Sequence, residues 1–371
     1  MKVGLLTFHD AYNYGAALQV YATQVALNNM DGISCDVVDY KNDGRRGRYS
    51  FFPLLKSFLL KKDFKNIVRL ILGYWLLSWR GRHFRRFYKN RLICTDETYY
   101  TPQSLSTLNE KYDKFIVGSD QVWNSGNNGE DISYLLDFVS DKNKKISYSS
   151  SFGCADIPEH LKKDYIRCLN DIMFLSTREE FGVELIKKYT GRDAELVLDP
   201  VFLPGRQFWI DFAKKEKPIK KKYIFAYTNR KDQISNLEKQ IDLHEYQMCK
   251  LTRFLTLHDL LSPRVKICYS MPLEKFVSLI ANADFVFTAS FHCTALSIIL
   301  HVPFISVLTG DEGKDSRVKS LLKITGLENR VFTENLTLDA IKAKIDYDLV
   351  DKRLAGYREK SINFLKQSLA D

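Results

Sequence analysis

Short apolar runs separated by polar, breaker-rich stretches recur along this chain at the spacing of alternating strands and helices. The run 3–7 ends at the breaker Asn13-Tyr14-Gly15, after which Ala17, Val20, Tyr21, Val25 and Leu27 fall on one face of a helix that ends near Asp31-Gly32. Residues 35–40 then read as a second strand. Two strands joined through a helix predict a right-handed βαβ unit and a parallel sheet. The series resumes at 115–118, before the polar loop 119–124, with further strands expected at 145–149, 172–176 and 196–198.

Two prolines and a glycine interrupt the pattern at 199–205, and a new series follows. Residues 223–227 read as a strand. Pro272 opens a helix carrying Phe276, Leu279, Ile280 and Ala283, the strand 285–287 follows, Ser290-Phe291-His292 is a loop, and Ala295 to Leu300 form a helix that leads into the strand 304–308. The expected architecture is α/β, with two Rossmann-like parallel-sheet domains facing a cleft. The first spans 1–204, with a helical insertion at about 41–92, and the second spans 205–371. The polar C-terminal helix of the second is expected to pack back on the first.

Charge changes the picture only in the insertion. The net charge of the 371 residues is +10, yet between Lys41 and Leu92 there are 15 Lys/Arg against two acids, while the rest of the chain holds 40 bases and 43 acids. The body therefore gives no nucleic-acid footprint. The longest uncharged apolar stretch, 70–79, has ten residues where a spanning helix needs about 20. Residues 51–91 interleave Lys/Arg with apolar and aromatic residues. That composition fits either a helix lying in an anionic membrane interface or a helical hairpin packed on the protein with a solvated basic face.

Seven scattered cysteines without a C-x-x-C pair disfavour a metal site and a disulfide framework. The N-terminus reads as a core strand rather than a signal peptide. The expected location is the cytoplasm, at the inner face of its membrane if the insertion docks there.

In open parallel sheets ligands bind outside the carboxyl ends of the strands. The loops there are 9–15, 119–124, 149–153, 176–180 and 289–292, and Asn13, Gly15, Ser119, Asp120, Asn124 and Ser290 in them are assigned to substrate. His292 precedes a helix, whose free N–H groups favour an anion, and a bound anion would restore its protonated form and make it a general acid. A satisfied structural histidine is the alternative. Arg178 follows an apolar strand and offers a fork to phosphate or carboxylate, or else a surface salt bridge to Glu179 or Glu180. The small residues at 15–17 suit close approach of a ligand. Neither a Gly-x-Gly-x-x-Gly fingerprint nor a Walker A loop is present, Gly-x-Ser-x-Gly is absent, and Cys293 is a poor nucleophile candidate beside His292.

Several of these loops, in order, resemble the polysaccharide pyruvyl transferase family: 13–19, 118–124, 151–153, 176–180, 198–202, 290–292 and 316–322. The resemblance implies a fold similar to GT-B glycosyltransferases. It also implies a reaction in which pyruvate moves from phosphoenolpyruvate to two hydroxyls of one sugar as a cyclic ketal, with no cofactor. His292 matches the family's general acid and Arg178 its donor-holding arginine. Characterised members carry Arg-Leu-His where this chain has Ser290-Phe291-His292, so the second donor cation must come from elsewhere, with Arg317 the first candidate. The expected acceptor is a lipid-linked sugar. The alternatives are a glycosyltransferase using a nucleotide sugar and a non-catalytic member that binds a glycolipid.

Overall fold

The computed structural model describes residues 1–42, 51–213, 219–228, 245–251, 265–268, 270–333 and 336–370. Its first sheet contains β1 (Lys2–Leu6), β2 (Ser34–Val37), β3 (Lys114–Val117) and β4 (Lys145–Ser147) in the order β2-β1-β3-β4, all parallel. Single bridges from Ile146 to Phe174 and from Ser150 to Thr177 extend it toward the short pair β5 (Ser176–Thr177) and β6 (Glu195–Leu196). The strand expected at 172–176 is thus reduced to its last residue and Thr177.

The second sheet is β7 (Tyr223–Tyr227), β8 (Gln247–Leu251), β9 (Val265–Cys268), β10 (Phe285–Thr288) and β11 (Phe304–Ser306), again parallel, in the order β11-β10-β7-β8-β9. Runs such as Phe-Ile-Val in β3 and Phe-Val-Phe in β10 are apolar on both faces because helices cover both sides of a parallel sheet. Strands β8 and β9 were not legible: Lys250 and Lys266 break their apolar runs.

The helices that position the site are α1 (Tyr14–Asn28), α2 (Phe51–Leu60), α3 (Phe64–Arg91), α4 (Lys162–Asp171), α5 (Glu180–Thr190), α6 (Arg206–Phe212), α7 (Leu273–Ala281), α8 (Phe291–Ile299), α9 (Glu312–Thr325) and α10 (Tyr347–Ala370). One hydrophobic cluster joins the halves. Tyr14 of α1 stacks on Phe276 of α7 at 4.3 Å, and its hydroxyl donates to the Met271 carbonyl at 3.1 Å. Helix α10 returns to the first sheet, burying Phe364, Leu365 and Leu369 with Val3, Leu5, Ile146 and Tyr148. Its earlier residues Val350 and Leu354 pack in the cluster shared with the second sheet.

The described part of the basic insertion forms the two helices α2 and α3. Asp63 caps α3, accepting from the Asn66 N–H at 3.2 Å. The C-terminal half of α3 is a packing element: Phe84 and Phe87 are buried, and Arg80 donates to the Tyr12 carbonyl while lying 5.3 Å over the Tyr14 ring. The N-terminal half buries Leu70 but also carries exposed apolar residues. Phe64, Val68 and Ile71 are exposed at helical spacing along one face, with Tyr74, Trp79 and, on α2, Phe52, Leu59 and Leu60 also exposed. Among the described residues no helix is long and apolar enough to cross a membrane.

Candidate functional site

The carboxyl ends of β1, β3, β7 and β10 open onto a cleft of about 340 Å³ between the two sheets. Its walls include Asn13, Asp120, Gln121, Ser290, His292 and Arg317. His292 is not on the exposed loop the sequence predicts. Ser290 caps α8, its Oγ accepting from the Cys293 N–H at 3.5 Å, so His292 is the second helical residue and only 7% exposed.

Two neighbours fix the imidazole. On one side stands Gly15, where an added Cβ would lie 2.2 Å from His292 Nδ1. The small residue at this helix start therefore admits a side chain of the protein, where the sequence reading expected a ligand. On the other side His292 Nε2 lies 3.5 Å from Asp199 Oδ2 and 3.5 Å from Arg178 Nη1.

Arg178 is wholly buried behind His292 and does not line the cleft. Its Nη1 donates to Asp199 Oδ2 at 2.6 Å and its Nη2 to Asp120 Oδ1 at 3.1 Å, and Cζ lies 4.8 Å from the Phe291 ring centroid. The expected pair with Glu179 lies in the interior and not at the surface, Glu179 being itself buried 3.9 Å from Arg178 Nε, while Glu180 pairs with Lys323. Burial alone would raise the Asp199 pKa. The contacts to His292, the Arg178 guanidinium and the Val201 N–H outweigh it and hold this carboxyl below the usual carboxylate range. Asp120 is lowered in the same way, against its own burial, by Arg178, His292 and Arg317. Glu179 goes the other way, raised by burial more than Arg178 and Arg317 lower it.

Arg317 lines the cleft. Burial, and then repulsion from Arg178, lower its pKa to about 10, so it stays cationic at neutral pH. Its Nη2 donates to the Lys314 carbonyl at 3.2 Å, and Gln121, with its amide oxygen assigned toward the guanidinium, accepts at 2.8 Å. Cys293 is fully buried, and burial pushes its thiol up to about 12, which leaves it protonated.

The structure divides the other sequence-assigned residues into two groups. Asn13 reaches the cleft while capping α1, its Oδ1 accepting from the Ala16 N–H at 3.3 Å. Ser290 and Asp120 also face it. Ser119 lies behind, donating to Asp199 Oδ2 at 3.1 Å, and Asn124 donates to the Gly153 carbonyl at 2.9 Å away from the cleft wall. Asp199, which joins His292 to Arg178, falls in the interrupting stretch 199–205 and in the family-like stretch 198–202, but the sequence alone gives it no role at the site. An acid between two apolar runs was the available signal, but its partners lie 21 and 93 positions away.

The sequence model for polysaccharide pyruvyl transferases matches residues 13–311, a span that holds both Asp199 and His292. The chain belongs to the polysaccharide pyruvyl transferase family. Arg317 lies just beyond the matched span. Comparison with curated proteins by sequence gives no match. Among solved structures, this family member is similar to UDP-GlcNAc 2-epimerase from Neisseria meningitidis bound to UDP-GlcNAc, at 10% identity over 100% of both chains with a TM-score of 0.54. It is also similar to UDP-GlcNAc 2-epimerase from Methanocaldococcus jannaschii, at 12% identity over 96% of this chain and 92% of the other, with a TM-score of 0.50. At such identity the likeness concerns the fold, which is of the GT-B type.

The contact at Gly15 makes a prediction. Gly15→Ala places a methyl group 2.2 Å from His292 Nδ1, too close for the imidazole to stay where it is. The variant should unfold at most about 1–3 kcal/mol less stably, the usual cost of overpacking, yet lose most activity because the imidazole is displaced. Initial rates set beside urea unfolding decide the matter, and an alanine variant of undiminished rate would show that the close contact does not position His292.

Proposed function

We propose that this chain transfers pyruvate from phosphoenolpyruvate to two hydroxyls of one sugar, forming a cyclic ketal and releasing phosphate, in the synthesis of a surface or capsular polysaccharide. The observation that carries this reading is the placement of His292: a nearly buried imidazole at the head of α8, backed by Asp199 and Arg178, opposite the cation of Arg317.

In this reading the donor's carboxylate and phosphate sit between Arg317 and the N-terminus of α8, where unpaired N–H groups and the helix dipole favour anions. Protonated His292 delivers its proton to the methylene carbon of phosphoenolpyruvate, and Asp199 stabilises the imidazolium until transfer. The resulting oxocarbenium-like carbon accepts one sugar hydroxyl, whose proton returns to His292. The C–O bond to phosphate breaks, and a second hydroxyl of the same sugar closes the ketal, its proton leaving with the phosphate. Arg178 acts through Asp199 and Asp120 as a positioning residue. Ser290 leaves Arg317 as the cleft's permanent cation among the described residues lining it.

The deciding experiment measures phosphate release from phosphoenolpyruvate with galactose-, mannose- and hexosamine-containing lipid-linked acceptors, with product analysis. Ketal with phosphate supports the proposal. A glycosidic bond with nucleotide release would replace it with sugar transfer, and absence of turnover with every donor would point to a binding protein. Ser290→Arg, which restores the family residue, should tighten the apparent affinity for phosphoenolpyruvate. An unchanged affinity would place the donor away from the head of α8.

The acceptor is proposed to be met at an anionic membrane surface. Phe52 (78% exposed), Leu60 (76%) and Phe64 (70%) stand among exposed Lys56, Lys61, Lys62 and Lys65, a mixture suited to the headgroup boundary. Each base near such a surface contributes about 1 kcal/mol. Binding to anionic vesicles should weaken, without vanishing, as salt rises, because the apolar contact is unscreened. Co-sedimentation with anionic and neutral vesicles tests it, using Lys61, Lys62 and Lys65 changed to Gln. Equal, negligible sedimentation of both proteins with both vesicles would move the acceptor toward a soluble sugar.

A further inference from the structure

A second cavity, of about 570 Å³, lies on the far side of the loop that follows β1. The loop is shared between the two. Phe8, Ala11 and Asn13 face the cleft that holds His292, while His9, Asp10 and Tyr12 face the second cavity. Its other walls come from the end of β2 (Asp39, Lys41), from the residue after α3 and the segment beyond it (Leu92, Cys94, Tyr100) and from α3 itself (Arg85, Tyr88, Lys89).

The wall is built rather than incidental. Arg80 and Tyr88 both donate to carbonyls of the loop, at Tyr12 and Ala11, and Arg85 Nη1 donates to the Tyr12 hydroxyl at 2.7 Å. Gly81 makes this packing possible, since a Cβ there would lie 2.9 Å from Arg85 Nη1 and 3.1 Å from the Tyr12 ring. Of the two carboxylates facing the cavity, Asp39 is already enclosed by donors: His9 Nε2 at 2.8 Å, Lys41 Nζ at 3.1 Å and Thr98 Oγ1 at 2.5 Å. Asp10 is the other. Arg85 and Lys89 are exposed at i and i+4 on one face of α3, and among the described residues neither pairs with a carboxylate. A cavity with two such cations, three tyrosines and two carboxylates, one of them already enclosed by donors, suits a phosphate ester attached to a larger organic group.

We propose that this cavity binds the phosphate or diphosphate ester that carries the acceptor sugar, so that the sugar crosses the loop at Ala11–Asn13 and presents its hydroxyls beside His292. The inference rests on the acceptor reading above and adds the site that distinguishes a phosphate-linked sugar from a free one. Because α3 continues from this cavity to the exposed apolar residues of its N-terminal half, a lipid-borne diphosphate and a nucleoside diphosphate sugar are the two sources of the same chemistry.

The test is binding without turnover, so that failure of the ketal reaction leaves it intact. Inorganic pyrophosphate is titrated calorimetrically into the full chain, into Arg85→Gln/Lys89→Gln and into Lys89→Glu, with thermal unfolding recorded to show that each variant is folded. Two charged hydrogen bonds are lost in the double variant, so pyrophosphate should bind about tenfold or more weakly. The single charge reversal should weaken it in the same direction. Geranyl diphosphate and uridine diphosphate then compete for the site: tighter binding of the first identifies a lipid carrier and of the second a nucleotide carrier, both supporting the site. Absence of saturable pyrophosphate binding to the wild-type chain, or equal affinity in all three folded proteins, overturns the proposal.

Discussion

His292→Asn should lower the rate of phosphate release from phosphoenolpyruvate by about 10²–10⁴-fold, the usual contribution of a general acid. Asparagine keeps a polar side chain of similar reach within the space between Gly15 and Asp199, but it has no proton to give at neutral pH. His292 lies at the cleft edge of α8, and its principal polar neighbours, Asp199 and Arg178, already satisfy each other at 2.6 Å. The fold should therefore survive. Initial rates beside urea unfolding separate the outcomes. A folded variant with wild-type rate would retire His292 as the acid, and a variant that does not fold would assign it a structural role.

The largest combined effect is expected at Asp199. Asp199→Asn removes the nearest of the carboxylates that face Arg178 in a fully buried setting, and breaking a buried pair costs up to about 3–5 kcal/mol, here reduced because Asp120 still holds the guanidinium at 3.1 Å. It also removes the anion that stabilises the His292 imidazolium, so the rate should fall together with the stability. Glutamate tests position against charge: Asp199→Glu keeps the charge and displaces it, and should recover part of the stability and little of the rate.

The pH dependence follows from the same carboxyl. Its folded pKa lies below that of an unfolded aspartate, about 3.9, so the folded state holds fewer protons there. Its contribution to stability is complete above that value and is lost as pH falls through the folded pKa. The wild-type chain should lose stability steeply below about pH 4, and Asp199→Asn should flatten that descent. Parallel acid-unfolding curves, or an asparagine variant as stable as the wild type at pH 7, would show that the pair with Arg178 does not hold the site together.

Much of the frame was legible because strand and helix periods are local properties. Strands β1, β3, β7 and β10 are continuous apolar runs, and the helix after Asn13-Tyr14-Gly15 shows its buried face in Ala17 and Val20. Reading ligands into the loops at the strand ends located Asn13, Asp120, Ser290 and His292, since a parallel sheet brings those ends to one edge. The same rule misplaced Ser119 and Asn124, which share the loop with Asp120 but point into the protein. Strands β8 and β9 were missed where lysines interrupt the apolar pattern.

What the sequence determined by itself is the alternation of strands and helices, the parallel two-sheet architecture, the concentration of basic charge in one insertion, and the loops in which chemistry can occur. Each depends on hydrophobic period or composition within a few neighbouring residues. Only the tertiary structure decided that Gly15 makes room for His292 and that Arg178 spends its fork on Asp199 and Asp120. It also decided that Arg317 faces the cleft, and that Phe84 and Phe87 of α3 are buried while Phe64, Val68 and Ile71 of the same helix are exposed. Those outcomes depend on burial and on charges meeting across the two halves: the same arginine is a ligand-binding fork in water and a desolvated partner of carboxylates in the interior, and only closure of the halves sets which.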